Sequence, residues 1–261
     1  QRIEQADELL GYSLSKFMFE GPAETLVQTQ YTQPAIFLHS IALFETLDIT
    51  PAMVAGHSLG EFTALTAAEV IDFETALSLV SLQKAGEIHP GTMAAVIGMD
   101  DDAVDQICEE ATKAINKPVV PANYNCPGQL VISGDVDAVK KAVDLAKEKG
   151  CRLAKMLSVS GAFHSPLMQP AYDALKEKLS DITFSAPVCP VYSNITAEAT
   201  KDAETIKHNI LEQLLNPVRW TQTILNMHRD GATEFIEVGP GKVLQGLVKR
   251  TIKDATIKGY Q

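Results

Sequence analysis

The first candidate reactive group in the sequence is a serine that stands between two glycines, each two residues away. Gly56-His57-Ser58-Leu59-Gly60 matches the G-x-S-x-G pattern of a nucleophile elbow, a sharp turn that exposes the serine hydroxyl. The apolar run Met53 to Ala55 precedes it, and a long helical pattern from Glu61 to about Leu82 follows it. The sequence therefore predicts a strand, a tight turn and a helix, in that order. If either glycine were replaced, the new side chain would collide with neighbouring backbone. A glycine-flanked core turn is the alternative.

The same turn is expected to supply part of an oxyanion site. The main-chain N–H of Leu59 stands at the head of the predicted helix, where the positive end of the helix dipole lies. A tetrahedral acyl intermediate formed on Ser58 would place its negative oxygen near this donor. We therefore expect Leu59 to stabilise the oxyanion through its backbone.

A serine hydroxyl is a weak nucleophile and needs a base within hydrogen-bond reach. The sequence has six histidines: His39, His57, His89, His164, His208 and His228. His57 is adjacent to the serine, so its side chain should point away from the hydroxyl. His164 stands in the stretch Gly161 to Pro166, a turn between a predicted strand and a helix, where a side chain can reach into a cleft. We favour His164 as the base, with a structural loop histidine as the open alternative.

A self-contained pattern of six elements lies between about Met93 and Leu157. Strands are predicted at Met93 to Gly98, Val119 to Tyr124, Leu130 to Ser133 and Arg152 to Leu157, with helices at 104–115 and from Val136 to a left-handed cap at Gly150. The order βαββαβ is that of a ferredoxin-like unit. We expect a small subdomain at 92–157, inserted into a larger body made of 1–91 and 158–261.

The larger body is predicted to be of the α/β class. A buried helix is expected around Pro34, which can occupy a first helical turn. Further helices are predicted from Pro166, at 205–215 and at 218–229, and strands at 188–193 and 234–238. Strands that alternate with helices indicate a mostly parallel sheet covered on both faces. Ligands of such sheets bind at the carboxyl ends of the strands.

The composition excludes several classes of protein. With 261 residues, 46% hydrophobic and 21% charged, the chain fits an ordinary globular protein and not a disordered one. The net charge of -11 argues against a nucleic-acid binder, and no run approaches the roughly 18 apolar residues of a membrane span. The cysteines are Cys108, Cys126, Cys151 and Cys189. Their spacing has no CxxC pair and fits no metal site, so we expect reduced core thiols in a cytoplasmic protein.

Six stretches of the sequence resemble the malonyl-CoA:acyl-carrier-protein transacylase family of bacterial fatty acid synthesis. They are Tyr31-Thr32-Gln33-Pro34-Ala35, Gly56 to Phe62, Asn125-Cys126-Pro127-Gly128-Gln129, Gly161 to Met168, Asn216-Pro217-Val218-Arg219-Trp220 and Glu237 to Lys242. They occur in family order over essentially the whole chain. The resemblance implies an α/β-hydrolase-like subdomain with a ferredoxin-like insert. It also implies malonyl transfer from malonyl-CoA to the phosphopantetheine thiol of acyl carrier protein through a malonyl-serine, without a metal or other cofactor.

The resemblance assigns roles to individual residues. Ser58 is the expected nucleophile, His164 its base, and Gln213 the residue whose main-chain carbonyl orients the histidine in place of a carboxylate. Phe163 resembles the family version that selects malonyl, because its ring would crowd a methyl branch; ordinary core packing is the alternative.

Polar residues in or beside the predicted strands are expected to line the cleft. These are Asn123, Asn125, Gln129 and Asn194. Turn hydrogen bonding is the alternative for Asn125. We assign His57, Phe163, Asn125 and Gln129 to substrate binding.

Two parts of the family pattern have no counterpart in this sequence. Family members begin with a strand and a Gly-Gln-Gly loop whose glutamine supplies a second oxyanion N–H, and this sequence starts after that segment. The family's arginine for the malonyl carboxylate also has no match, since no arginine occurs between Arg2 and Arg152. Lys84 would offer a point charge without the planar fork of a guanidinium. A serine thioesterase or hydrolase, and a non-catalytic acyltransferase-like binding module, therefore remain alternatives.

The expected partner, acyl carrier protein, is acidic in this family. Because the chain itself carries -11, docking requires a local basic patch. Two clusters qualify: Lys242, Lys249, Arg250 and Lys253 near the C-terminus, and Lys140, Lys141 and Lys155 in the insert. Solvated surface is the alternative for each, and we expect the protein to be a monomer.

Overall fold

The computed structural model describes residues 1–26, 28–82, 91–159 and 161–261. Its helices are α1 (Arg2–Leu10), α2 (Leu14–Glu20), α3 (Ala23–Leu26), α4 (Thr29–Phe44), α5 (Gly60–Ala67), α6 (Phe73–Ser81), α7 (Asp101–Ile115), α8 (Val136–Glu148), α9 (Gln169–Ser180), α10 (Ala203–Glu212), α11 (Trp220–Arg229) and α12 (Val243–Thr251). Its strands are β1 (Val54–Ala55), β2 (Thr92–Ile97), β3 (Val119–Cys126), β4 (Gln129–Gly134), β5 (Leu153–Met156), β6 (Val191–Tyr192), β7 (Ala199–Thr200), β8 (Glu234–Val238) and β9 (Thr256–Tyr260). Across these four ranges, none of the helices has both the length and the apolar character that a membrane crossing requires.

The ferredoxin-like unit is present as predicted. Its antiparallel sheet has the strand order β3-β4-β2-β5, and α7 and α8 pack against it around a shared hydrophobic core. The helix α7 buries Val104, Ile107 and Cys108 on one face, the spacing expected of a half-buried helix. Past the end of α8, Gly150 has φ +86°, a conformation that a residue without Cβ adopts freely. The exact limits of this subdomain, 92–157, stay a prediction.

The larger body contains two parallel strand pairs, but in two separate sheets. One sheet has the order β1-β6-β7, with β1 and β6 parallel, and the other pairs β8 with β9 in parallel. Within the described ranges these do not join into one sheet as predicted, and β1 and β6 pair through only two residues each. The sequence did not predict α12 or β9, because α12 buries only Leu247 and Val248 and β9 is largely exposed.

The helical pattern from Glu61 to Leu82 forms two helices, α5 and α6, and not the single helix predicted. Glu69, between them, has φ +61°, which breaks the helical path. Asp72 then caps the second helix, its carboxylate accepting a hydrogen bond from the N–H of Thr75 at 2.7 Å. Main-chain carbonyls in the break accept hydrogen bonds from main-chain N–H groups of segment 185–188. The break between the helices therefore binds a distant part of the chain.

The helix α4 begins at Thr29, ahead of the predicted start at Pro34, which therefore lies inside the helix. A proline at this position cannot donate to the carbonyl of Gln30, four residues earlier. The hydroxyl of Tyr12 donates to that carbonyl at 3.4 Å. The helix buries Phe37, Leu38 and Ile41, as its sequence predicted, but Ile36 is exposed.

All four cysteines are free thiols, as the sequence predicted. Cys108, Cys126 and Cys189 are buried, and Cys151 is partly exposed. Burial raises the pKa of the Cys108 thiol to about 12, so this group stays protonated and unreactive at neutral pH.

The cap of α6 gives a test of the helix break. We expect Asp72→Ala to lower the free energy of unfolding by about 1 kcal/mol, because a donor at the helix start loses its partner. Asp100 occupies the same position before α7 but makes no side-chain cap bond, so Asp100→Ala is the matched control and should cost less. Urea unfolding of both variants measures the difference, and equal losses would contradict the assigned role of Asp72.

Candidate active site

The turn between β1 and α5 has the geometry of a nucleophile elbow. Ser58 has φ +54°, a left-handed conformation that is uncommon for a residue with a side chain. A Cβ on Gly56 would lie 1.8 Å from the carbonyl oxygen of Gly60, so only glycine fits there. The expectation that Gly60 is equally constrained is wrong, because its Cβ would point into open space from the first turn of α5.

His164 lies against the serine hydroxyl. Its Nε2 is 2.7 Å from the Oγ of Ser58, and its Nδ1 is 2.8 Å from the main-chain carbonyl oxygen of Gln213. A carbonyl only accepts, so Nδ1 must carry the proton and donate it. Nε2 is then the unprotonated nitrogen and accepts the hydrogen bond from Ser58. This tautomer is the one that a general base requires.

The imidazole of His164 is only 5% exposed. Its pKa is lowered to about 4, chiefly by burial; the bond to the Gln213 carbonyl opposes this shift, and the proximity of His57 contributes to it. The ring is therefore neutral at neutral pH and ready to take a proton. His164 itself has φ +57°, so both partners of this hydrogen bond occupy the left-handed region.

The N–H of Leu59 is placed for an oxyanion. Leu59 is the N-cap residue of α5, and its side chain is buried. The N–H groups of Gly60 and Glu61 are used in turns closed by the carbonyls of His57 and Ser58, whereas the Leu59 N–H makes no hydrogen bond within the part of the chain that the structure describes. It is thus available to a ligand at the positive end of the helix.

His57 points away from the serine hydroxyl, as expected, and contacts Asn125. Its Nε2 is 2.8 Å from Oδ1 of Asn125, an oxygen that only accepts, so Nε2–H donates. The edge of the Trp220 ring system also meets the imidazole, with centroids 5.4 Å apart. Burial lowers the pKa of His57. Asn125 therefore joins the small subdomain to the elbow, in place of the turn bonding that was its alternative.

The other two residues assigned to substrate binding lie beside this group. The Oε1 of Gln129 accepts a hydrogen bond from Arg250, and the Cys126 thiol is 3.7 Å from the same oxygen. Neither bond reaches the serine or its base. Phe163 is partly buried and packs against apolar residues of both the large body and the small subdomain, including Ala122. Its position fits the core packing that was its alternative, and its selectivity stays a prediction.

Asn194 lies under the elbow and does not line the cleft as expected. Its Nδ2 donates to the carbonyl of Gly56 at 2.6 Å, and its Oδ1 accepts from the N–H of Ser58 at 2.6 Å. Its own N–H donates to a carboxylate oxygen of Glu61 at 3.3 Å. Burial raises the pKa of Glu61 to about 8, so this carboxyl is mostly protonated at neutral pH.

The sequence analysis did not predict the bonds between Asn194 and the elbow or the burial of Glu61. Glu61 stood inside the matched stretch Gly56 to Phe62, but nothing in the pattern says that its carboxyl is buried. Asn194 is 136 residues from Ser58, and only the pairing of β6 with β1 brings them together.

Among the residues that the structure describes, His39, His208, His228 and Asn123 take no part in this group. His208 and His228 are exposed, as expected, and His39 is partly buried within α4. Asn123 is buried in β3 and forms a parallel β-bridge with Val218. Lys84 and His89 lie outside the residues that the structure describes. Among those residues, no cluster of three or more His, Cys, Asp or Glu side chains could hold a metal ion.

Comparison with known proteins places the chain in a family. The profile of the acyl transferase domain family matches residues 2–260. The chain therefore belongs to the acyl transferase family.

Within that family the chain is similar to malonyl CoA-acyl carrier protein transacylases. The chain is 45% identical to the malonyl CoA-acyl carrier protein transacylase of Bacillus subtilis over 95% of this chain and 80% of that protein. It is 42% identical to the one from Escherichia coli K12, over 97% and 84%. An acyl carrier protein S-malonyltransferase structure from Vibrio cholerae superposes with a TM-score of 0.95 at 41% identity, covering 100% of this chain and 88% of that one.

A second solved structure includes a partner. It is a malonyl-transacylase in complex with an acyl carrier protein of a type II polyketide synthase. Its TM-score is 0.95 at 39% identity, over 100% of this chain and 86% of that one. The resemblance expected from the six sequence stretches is thereby confirmed, and so is the two-part α/β fold.

The buried base predicts how the reactivity of Ser58 depends on pH. A fluorophosphonate probe labels a serine only when its base is neutral. Because the pKa of His164 is lowered to about 4, the labelling rate should stay nearly flat from pH 8 to pH 5 and fall only as the pH approaches 4. With an ordinary histidine pKa of 6.5, about 3% of the base would be neutral at pH 5.

Mass spectrometry of the labelled peptide measures this rate, and Ser58→Ala is the unlabelled control. Circular dichroism at each pH checks that the protein remains folded. A midpoint near pH 6.5 would contradict the buried, neutral state of His164.

Proposed function

We propose that this chain transfers a malonyl group from malonyl-CoA to the phosphopantetheine thiol of acyl carrier protein, through a malonyl ester of Ser58. The observation that carries the proposal is the 2.7 Å contact between the Ser58 hydroxyl and the unprotonated nitrogen of His164, in a member of the acyl transferase family. The names of its relatives agree on the malonyl group and on acyl carrier protein, and two of them name malonyl CoA as well.

The first half-reaction loads the serine. Ser58 Oγ attacks the thioester carbon of malonyl-CoA while its proton passes to Nε2 of His164. The carbonyl oxygen becomes the oxyanion and is held by the N–H of Leu59. When this intermediate collapses, the C–S bond breaks and the CoA sulfur leaves, taking the proton from His164. The Gln213 carbonyl keeps the ring in the required tautomer throughout.

The second half-reaction unloads the serine. The phosphopantetheine thiol of the carrier gives its proton to His164 and attacks the ester carbon. The same N–H of Leu59 holds the second oxyanion. The bond to Ser58 Oγ then breaks, and His164 returns the proton to the serine. The enzyme ends as it began, which is the ping-pong course of covalent catalysis.

Contacts of Arg250 favour the C-terminal patch as the carrier-docking surface. Lys242, Lys249, Arg250 and Lys253 are all exposed on or next to α12. Arg250 donates to Gln129, which lies on β4 close to the residue that contacts His57. The patch therefore borders the route by which a carrier-bound thiol would approach the site. The other cluster, in the insert, is placed on α8 and the edge strand β5.

Other expectations belong to the same proposal. His57, Asn125, Gln129 and Phe163 are assigned to the substrate cleft, with Phe163 crowding a methyl-branched acyl group. The catalytic subdomain is taken as 1–91 and 158–261. Four free thiols support a reducing, cytoplasmic setting. We further propose a monomer that binds neither nucleic acid nor membrane.

An acyl-enzyme test decides whether the chain is an enzyme. Intact mass spectrometry after mixing with malonyl-CoA should show a malonyl adduct, because the serine ester is an obligate intermediate. Ser58→Ala should abolish the adduct, while Ser165→Ala, a buried serine in the turn next to His164, should keep it. No adduct on the wild-type chain would support a non-catalytic binding module.

The same measurement separates a transferase from a thioesterase. The adduct of a transferase should persist until a carrier-protein thiol is added and then disappear. Loss of the adduct in water alone, with release of free malonate, would support a hydrolase.

Charge reversal tests the docking patch. We expect Lys249→Glu with Arg250→Glu to raise KM for the carrier protein about tenfold or more at low salt, since the patch attracts an acidic partner. Lys140→Glu with Lys141→Glu reverses the other cluster and is the matched control. Steady-state assays at varied carrier concentration, with KM for malonyl-CoA measured separately, give the comparison. An unchanged carrier KM would remove the C-terminal patch from consideration.

A further inference from the structure

Every polar group of Asn194 makes a hydrogen bond, and its side-chain amide bonds the backbone of the elbow. Its amide nitrogen and oxygen bond the carbonyl of Gly56 and the N–H of Ser58, both at 2.6 Å. Its main-chain N–H donates to Glu61 at 3.3 Å, and its main-chain carbonyl accepts from the N–H of Arg219 at 2.9 Å. The residue is 0% exposed. Such a complete set of buried bonds is what fixes a polar side chain in one orientation.

These bonds bridge the two halves of the site. Gly56, Ser58 and Glu61 belong to the elbow that presents the nucleophile. Arg219 belongs to the segment 213–219, which begins with the Gln213 carbonyl that orients the base. Asn194 thus connects the backbone of the nucleophile to the segment that sets the tautomer of its base.

The conformation of Ser58 explains why such a brace is needed. Its φ of +54° is disfavoured for a residue with a Cβ and persists only where the surroundings enforce it. The two bonds from the Asn194 amide hold the chain immediately before the Ser58 Cα: one is on the carbonyl of Gly56 and the other is on the N–H of Ser58 itself, so together they span His57 and fix the peptide plane that enters Ser58. They therefore restrict the rotation that would carry the hydroxyl away from His164.

We propose that Asn194 is a positioning residue, which locks the left-handed backbone of Ser58 and keeps the serine hydroxyl within reach of His164. It acts through the backbone and touches no reacting atom. The inference deepens the proposed function but rests on it only for the identity of the acyl group, because the reactivity of Ser58 can be measured without malonyl-CoA.

The test is the rate of Ser58 labelling by a fluorophosphonate probe in Asn194→Ala. A displacement of about 1 Å between reacting groups lowers a rate by about 100-fold. We expect labelling of N194A to slow by at least tenfold, and kcat for malonyl transfer to fall with little change in KM for malonyl-CoA. A labelling rate equal to that of the wild type would overturn the inference.

Asn226→Ala is the matched control. Its side-chain amide also donates to main chain, to the carbonyl of Ala197 just before β7 at 2.9 Å, and to Glu198, but no hydrogen bond joins it to the elbow. N226A should lose stability in thermal unfolding while its labelling rate stays within twofold of the wild type. Equal slowing in both asparagine variants would mean that general loosening, and not Ser58 positioning, sets the rate.

A near-isosteric variant covers the case in which N194A does not fold. Asn194→Asp keeps the size and the acceptor for Ser58, but its ionised form places an oxygen against the Gly56 carbonyl. The ratio of its labelling rate to that of the wild type should fall as pH rises from 6 to 9. Of the nearby groups, His57 and His164 have lowered pKa values and are mostly neutral over this range, whereas Glu61, with a pKa of about 8, titrates within it and is present in both proteins. A ratio of one throughout would also overturn the inference.

The two proposals fail in different ways. A wild-type chain that labels at Ser58 but forms no malonyl adduct contradicts the proposed function and leaves the role of Asn194 standing. A rapidly labelled N194A contradicts the role of Asn194 and leaves the function standing.

Discussion

The hydrogen bond between Ser58 and His164 joins residues 106 positions apart and requires an unfavourable backbone at each of them. A left-handed conformation of a residue with a side chain costs about 1 to 3 kcal/mol, so the rest of the fold must impose it. At Ser58 two residues help to impose this conformation: Gly56 lets the carbonyl of Gly60 approach closely, and the amide of Asn194 binds the backbone. At His164 the Gln213 carbonyl holds the ring.

The two subdomains contribute unequally to this arrangement. The large body supplies Ser58, His164 and Gln213, and therefore all the groups that move a proton. The ferredoxin-like unit reaches the elbow through Asn125, whose side chain meets His57. Its edge strand β3 also bonds the segment after Gln213 through Val218. The small unit thus braces the site from the side on which a carrier protein is proposed to dock.

Local sequence patterns were sufficient to predict those parts of the structure whose contacts join residues close in sequence. The elbow and the βαββαβ unit were predictable because tight turns and amphipathic periods leave a local signature, and the family resemblance then supplied His164 and Gln213. The break between α5 and α6 was not predictable, since the carbonyls of Ala68 and Val70, on either side of residue 69, accept hydrogen bonds from segment 185–188, far along the chain. Asn194 was recognised as polar and near a strand, but its partners depend on how β6 lies beside β1.

The group that orients His164 is the main-chain carbonyl of Gln213 and not a carboxylate, and a neutral group at this place suits a negatively charged acyl group. A carboxylate there would add a buried negative charge beside the serine and would repel the malonyl carboxylate in a medium that screens poorly. Burial keeps His164 neutral, lowers the pKa of His57 and raises that of Glu61 to about 8. At neutral pH these groups around Ser58 are therefore largely uncharged. An anionic substrate meets dipoles oriented in advance, the N–H of Leu59 among them, and no opposing charge from this set.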